Sequence, residues 1–369
     1  MGCAALAFCW QFLTVHANYQ GRWNALFCTA AGYPQPPQFV GENLYLFQNS
    51  PGYDGTVYHY IAHDPFLTGA MLPYVDAPRY RYRRILVPLA AYALAMGRTD
   101  WVDTAYFAVI LLFVFLGGYW LAGLRPLWGI GFLLVPATLI SLDRMTVDIA
   151  LAALCAGFAV FVARGSAWQI YAVLVAAPLV RETGLLLIAA YVLHLLWKQK
   201  LRDAVLFATA VIPTLLWYLF VMVQTHPEGG GVFSLIPFEG FVTRLFTPTA
   251  YALSGKTAML VTILDYGALV GMALAVALAI RMAWHRLTGP IEIATYLFAL
   301  LTIFLVHPEP WRDPFGYSRA LSPLLLFVAL SGLPRGEWVS AAPLLLVALR
   351  VVAQFWPQVM GILHIAART

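Results

Sequence analysis

The sequence predicts an all-α polytopic membrane protein: about eleven transmembrane helices and a long first extracytoplasmic loop carrying short interfacial helices. Three observations predict it. Of the 369 residues, 62% are hydrophobic and only 11% are charged. A soluble domain carries about 25% charged residues to cover its surface. The deficit recurs along the chain as apolar runs of near-spanning length, and Lys and Arg sort between alternate loops.

A span needs about 20 apolar residues. The runs lie at 1–17, 105–124, 127–142, 145–163, 167–180, 184–197, 204–224, 258–281, 290–306, 320–333 and 338–356. The first has no basic leader and no evident cleavage site, so it reads as a membrane helix. Its abrupt start at Met1 leaves room for a natural start upstream. The run 85–97 is too short to span and reads as interfacial or re-entrant. Residues 1–369 form one integral membrane domain, with an extracytoplasmic loop region at 18–104 and a transmembrane bundle at 105–369. "ENLYLFQ" at 42–48 resembles a protease tag and is taken as native.

With the N-terminus inside, the short inner loops hold Arg125, Arg164, Lys198, Lys200, Arg202, Arg281, Arg286 and Arg335, against Asp203 and Glu337. That is the bias expected of cytoplasmic loops. Segments 18–104, 225–257 and 307–319 then fall outside. Several spans are short. A 15-residue helix rises about 22 Å against a core of about 30 Å. Asp143-Arg144 and Arg181-Glu182, at the outer ends of short runs, would sit below the surface, where charges need partners or a wet cavity. Asp265, inside run 258–281, reads most plainly as bonded to a neighbouring helix.

The net charge of +5 comes from scattered arginines, with no lysine-rich run, so nucleic acid is not an expected partner. Cys3, Cys9, Cys28 and Cys155 show neither metal nor disulfide spacing.

The outward polar residues form four clusters. In "GYDGTVYHYIAHDP" (52–65), Asp54 either caps a short helix or supplies a catalytic carboxylate. His59 and His63 stand at i and i+4, a spacing that suits a metal. No third ligand is apparent and HExxH is absent, so neither a metal site nor any other cofactor is expected, though a divalent ion stays open. Asp64 before Pro65 ends the helix. In "DAPRYRYRRILVP" (76–88), Arg79, Arg81, Arg83 and Arg84 alternate with tyrosines. They fit snorkelling anchors or an anionic headgroup or phosphate. "SLDRMTVD" (141–148) and "LVRETG" (179–184) each set an arginine beside an acid: Asp143 with Arg144, Arg181 with Glu182. In "HPEPWRDPFGYSRALSP" (307–323), Arg312 and Arg319 flank aromatics before a helix start.

This pattern resembles the GT-C superfamily of polytopic membrane glycosyltransferases, in particular bacterial members related to the GPI-anchor mannosyltransferases. The likeness rests on "YDGTVYHYIAHDPF" in the first long loop, "RYRYRRILVPLAAYALAMG" after it, "RETGLLL" in mid-chain and "SRALSPLLLF" near the end. Order and placement agree across most of the chain. Two features depart from the family: the paired acidic motif and a large C-terminal soluble domain are missing. The first leaves metal use, and the second the acceptor, without a sequence signal.

The resemblance implies an inverting transfer of a sugar from a polyprenyl-phosphate-linked donor to an acceptor glycan, lipid or protein. The site would face the periplasm or exterior of a bacterial inner (cytoplasmic) membrane. Asp54, at the family's motif position, would be the general base. Arg79, Arg81, Arg83, Arg84, Arg181 and Arg319 would bind the lipid phosphate. Tyr53, Tyr58, His59, His63, Asp64, Asp143, Arg144 and Glu182 would support them, and Tyr53, Tyr58 and Trp311 could stack on sugar. The rival readings are a transporter or flippase of a lipid-linked or anionic substrate, and a non-catalytic subunit of an envelope-assembly complex. A transporter commonly carries internal repeats, and none is visible here.

Overall fold

A computed structural model describes residues 1–39, 43–227, 236–251, 253, 255–305 and 308–367. It is all-helical, 77% helix, with no strand among the described residues. Helix α1 (Gly2–Asn18) precedes the loop region, which holds α2 (Asp54–His63), α3 (Pro78–Arg81) and α4 (Leu86–Leu94). There follow α5 (Thr99–Ala122), α6 (Pro126–Gly131), α7 (Pro136–Arg144), α8 (Asp148–Arg164), α9 (Ala167–Val180) and α10 (Leu185–Trp197). Next come α11 (Leu201–Ala208), α12 (Ile212–Gln224), α13 (Glu239–Phe246), α14 (Gly255–Trp284) and α15 (Pro290–Phe304). The chain closes with α16 (Pro308–Arg312), α17 (Pro314–Ala320), α18 (Ser322–Gly332), α19 (Ala342–Ala353) and α20 (Trp356–Ala366).

Among the described residues, three helices are long and apolar enough to cross a membrane: Thr99–Ala122, Leu201–Gln224 and Gly255–Trp284. Three bent pairs raise the number to six: Pro126–Leu134 with Pro136–Arg144 at 58°, Pro314–Ala320 with Ser322–Arg335 at 54°, and Trp338–Ala353 with Trp356–Ala366 at 51°. Proline sets these bends. Pro136, Pro323 and Pro357 each sit in the first turn of the second helix, where the missing N–H costs nothing. The continuous run at 127–142 is therefore two helices, broken at the extended Val135. Ala167–Val180, Glu182–Trp197 and Pro290–Phe304 are shorter apolar helices, as the run lengths predict.

The core is built on α8 and α18. Every residue from Asp148 to Phe161 is buried, as is all of Ser322–Gly332. Both segments are apolar around the whole circumference, which is the pattern of a helix enclosed by others. The polar residues at their starts are thereby fixed in space. Helix α2 departs from the expected interfacial helix. Gly55 to Ala62 are all buried, because Val57, Tyr58, Tyr60 and Ile61 cover most of its circumference with apolar surface. It packs on α4 and α5 as part of the core.

Arg335 pairs with Glu292 at 2.8 Å and Arg281 with Glu337 at 4.0 Å, beside a cavity of about 310 Å³.

Candidate functional site

Asp54 is the first residue of α2, and Tyr53 is the N-cap. The carboxylate is held by two arginines from distant segments. Oδ1 lies 3.1 Å from Arg81, and Oδ2 accepts from Arg319 of α17. The Asp-Gly pair has a packing reason. A Cβ on residue 55 would lie 2.1 Å from the carbonyl oxygen of Arg144 and 2.8 Å from that of Phe27. Only glycine lets α2 start against the end of α7.

From Asp54 the ionic contacts continue inward. Arg319 also reaches Asp148 at 3.4 Å, and Asp148 accepts from Arg181. Asp148 is the first residue of α8, and Arg181 is the extended residue that ends α9. A second branch runs through Arg84, which donates to Glu182 at 3.2 Å, to the Tyr58 hydroxyl at 3.1 Å and to the Tyr80 hydroxyl. Arg81 is closed from the outside by Asp76, at 2.9 and 3.1 Å. Tyr53 lies beneath two cations, with Arg144 4.5 Å and Arg319 4.8 Å from its ring centre. Arg144 also pairs with Asp143 at 3.4 Å and stacks on Phe315.

Together, Arg81, Arg84, Arg144, Arg181 and Arg319 face Asp54, Asp76, Asp143, Asp148 and Glu182. Asp54 is 17% exposed, whereas Asp148 is 2% exposed. Of these two, Asp54 is the one open to a solute.

Burial alone would push the Asp54 carboxyl up, but Arg319 and Arg81 outweigh it and hold it well below the usual carboxylate range. Arg81 is its counterpart: burial would pull the guanidinium down, and Asp54 holds it above its ordinary value. Burial pushes the phenols of Tyr53 and Tyr58 up. Both stay neutral.

The structure thus brings together Asp54, Arg81, Arg84, Arg181, Arg319, Tyr53, Tyr58, Arg144, Asp143 and Glu182. Arg83 borders the cluster with its guanidinium 5.3 Å from the Tyr218 ring. Arg79 is turned away. It donates to the Met222 carbonyl at 2.8 Å and to Thr225, which ties α3 to the end of α12. Asp64 organises the next turn, accepting from Thr68 N–H and Oγ1, both at 2.8 Å, and from Gly69 N–H at 3.1 Å. His59 and His63 lie on the opposite face of α2 from Asp54 and point their Nε2 atoms at Asp103 of α5. Trp311 and Tyr58 are buried, so neither offers a face to a sugar.

Asp148 was legible only as part of a quoted motif. Its signal is an acid opening a wholly apolar helix. Asp103 had no local signal, and Asp76 was visible only as the residue that opens the 76–88 stretch. Asp265 is bonded to its neighbours, as expected: Arg350, Arg244 at 3.0 Å and the Tyr251 hydroxyl at 2.7 Å all donate to it. Compared with family models, with curated proteins and with solved structures, the chain matches none.

Proposed function

We propose that the protein is an integral membrane glycosyltransferase of the GT-C kind, inverting, with a polyprenyl-phosphate-linked sugar as donor. The observation that carries the reading is the meeting of Asp54, a partly exposed carboxylate, with Arg81 and Arg319. Three segments far apart in sequence converge there. Each was singled out beforehand by its residue types.

The apo site is ion-paired, so Asp54 is a poor base until an anion arrives. Arg81 and Arg319 exchange the Asp54 carboxylate for the donor phosphate. Deprived of its two cations, Asp54 becomes more basic. The acceptor hydroxyl then gives its proton to Asp54 as its oxygen bonds to the anomeric carbon. The bond from that carbon to the phosphate oxygen breaks, and its electron pair leaves on the polyprenyl phosphate. The arginines neutralise that charge in a low-dielectric site, where they act most strongly. One displacement inverts the anomeric centre. A general base of this kind contributes about 10²–10⁴-fold.

A lipid setting accounts for the exposed apolar surface. Leu215, Leu216, Leu219 and Val223 of α12, and Met259, Leu260, Ile263 and Val270 of α14, all lie exposed. In this reading the short and bent helices complete about eleven spans, the N-terminus is cytoplasmic, and the Asp54 end faces the periplasm of a bacterial inner membrane.

The test is reconstitution in liposomes with a panel of fluorescent polyprenyl-phosphate sugars. Release of polyprenyl phosphate, coupled to appearance of a glycosylated acceptor, is expected. Movement of an intact donor between leaflets without cleavage would indicate a flippase and overturn the proposal.

A further inference from the structure

The strongest feature outside the arginine cluster lies on the other face of α2. His59 and His63 direct Nε2 at one oxygen of Asp103, at 2.7 and 3.2 Å. The three donor atoms all lie within 4.8 Å of one another. The sequence supplied the i, i+4 histidines without a third ligand, and α5 brings that ligand from 40 residues further on.

We infer that His59, His63 and Asp103 form a zinc-class divalent metal site that pins α2 to α5. Two imidazole nitrogens and a carboxylate oxygen are the donor set that Zn²⁺ takes at about 2.0–2.2 Å. Ligands on a tetrahedral ion at that radius stand about 3.3 Å apart. The His63–Asp103 separation of 3.2 Å is near that value, and the hydrogen-bonded His59–Asp103 separation of 2.7 Å opens by about 0.6 Å when a metal enters. The histidines are pre-set. His59 is stacked between Phe27 and Phe39, with ring centres 4.1 and 4.9 Å away, and Phe39 meets His63 edge-on at 4.9 Å. His63 presents Nε2 to Asp103, and its buried Nδ1 has no partner among the described residues. Asp103 is 30% exposed, which leaves a way in and room for a water as fourth ligand.

The charge balance suits a dication. Two neutral imidazoles and one carboxylate leave a net positive site that a bound hydroxide or water completes. The ion would fix the far end of the helix that begins with Asp54. It is a positioning site, and it does not rest on the glycosyl-transfer reading.

The experiment uses the full chain in detergent, purified with a histidine-free tag and dialysed against metal-free buffer. Zinc is measured by mass spectrometry, and CoCl₂ is titrated while the visible spectrum is recorded. The expected result is about one zinc per chain, or saturable Co²⁺ uptake with the intense bands of tetrahedral coordination. In His63→Gln and in Asp103→Asn, uptake should weaken at least tenfold. Asp103→Asn keeps the size of the side chain and a hydrogen bond, so it serves if His63→Gln fails to fold. Absence of both zinc and tetrahedral Co²⁺ bands in the wild-type protein would overturn the inference. So would undiminished uptake by a folded Asp103→Asn protein.

Discussion

At the scale of single residues, Asp54 and Gly55 do different jobs that the sequence pairs. Asp54 carries the charge and Gly55 makes the space. Gly55→Ala should overpack the contact with the Arg144 carbonyl and lower stability by about 1–3 kcal/mol. The midpoint of thermal unfolding reads this directly. The Asp54 carboxyl is depressed in the folded state relative to the unfolded chain. Its pairing therefore stabilises fully above the usual carboxylate value of about 4 and fades as pH falls below that, toward the folded value. The stability gap between wild type and Asp54→Asn should be constant from pH 6 to 8 and shrink on acidification below about pH 4. Of the residues read from the sequence, Asp54, Arg81, Arg84, Arg181 and Arg319 meet as charge pairs. Arg79 does not join them, because proximity in sequence to Arg81 says nothing about which way a four-residue helix turns each side chain.

At the scale of elements, the buried starts of helices matter most. Asp148 opens α8, nearly fully buried, and bridges Arg181 and Arg319. Asp148→Asn would leave Arg181 without its carboxylate and Arg319 with Asp54 alone. Loss of one partner from such a group costs about 3–5 kcal/mol. We expect that variant to melt far earlier than Glu182→Gln, whose carboxylate is 26% exposed and pairs with Arg84 alone. The apolar runs made the existence of most helices legible. They did not show the break at Val135–Pro136 or the burial of α2. A run of apolar residues is the same signal whether a proline bends it or not. A loop helix also becomes core only when another helix, here α5, arrives to cover it.

At the scale of the whole molecule, charge bias assigns Asp76 to the outside and Glu337 to the inside. Contacts such as Asp54 with Arg319, 265 residues apart, were not readable, since no local pattern encodes which loops meet. The arrangement predicts a labelling pattern. In a background with the four cysteines replaced by serine, a cysteine at Asp76 should react with an impermeant thiol reagent applied outside intact cells. A cysteine at Glu337 should react only after permeabilisation. Both positions are exposed, so the readout depends on sidedness alone.

The central claim is that Asp54 is the base of a glycosyl transfer. Its most direct test is the rate of polyprenyl phosphate release by Asp54→Asn in proteoliposomes, beside wild type, with insertion and melting recorded on the same preparations. Loss of at least 10²-fold in rate, from a protein that inserts and stays folded, is the predicted result. Release at the wild-type rate would contradict the account.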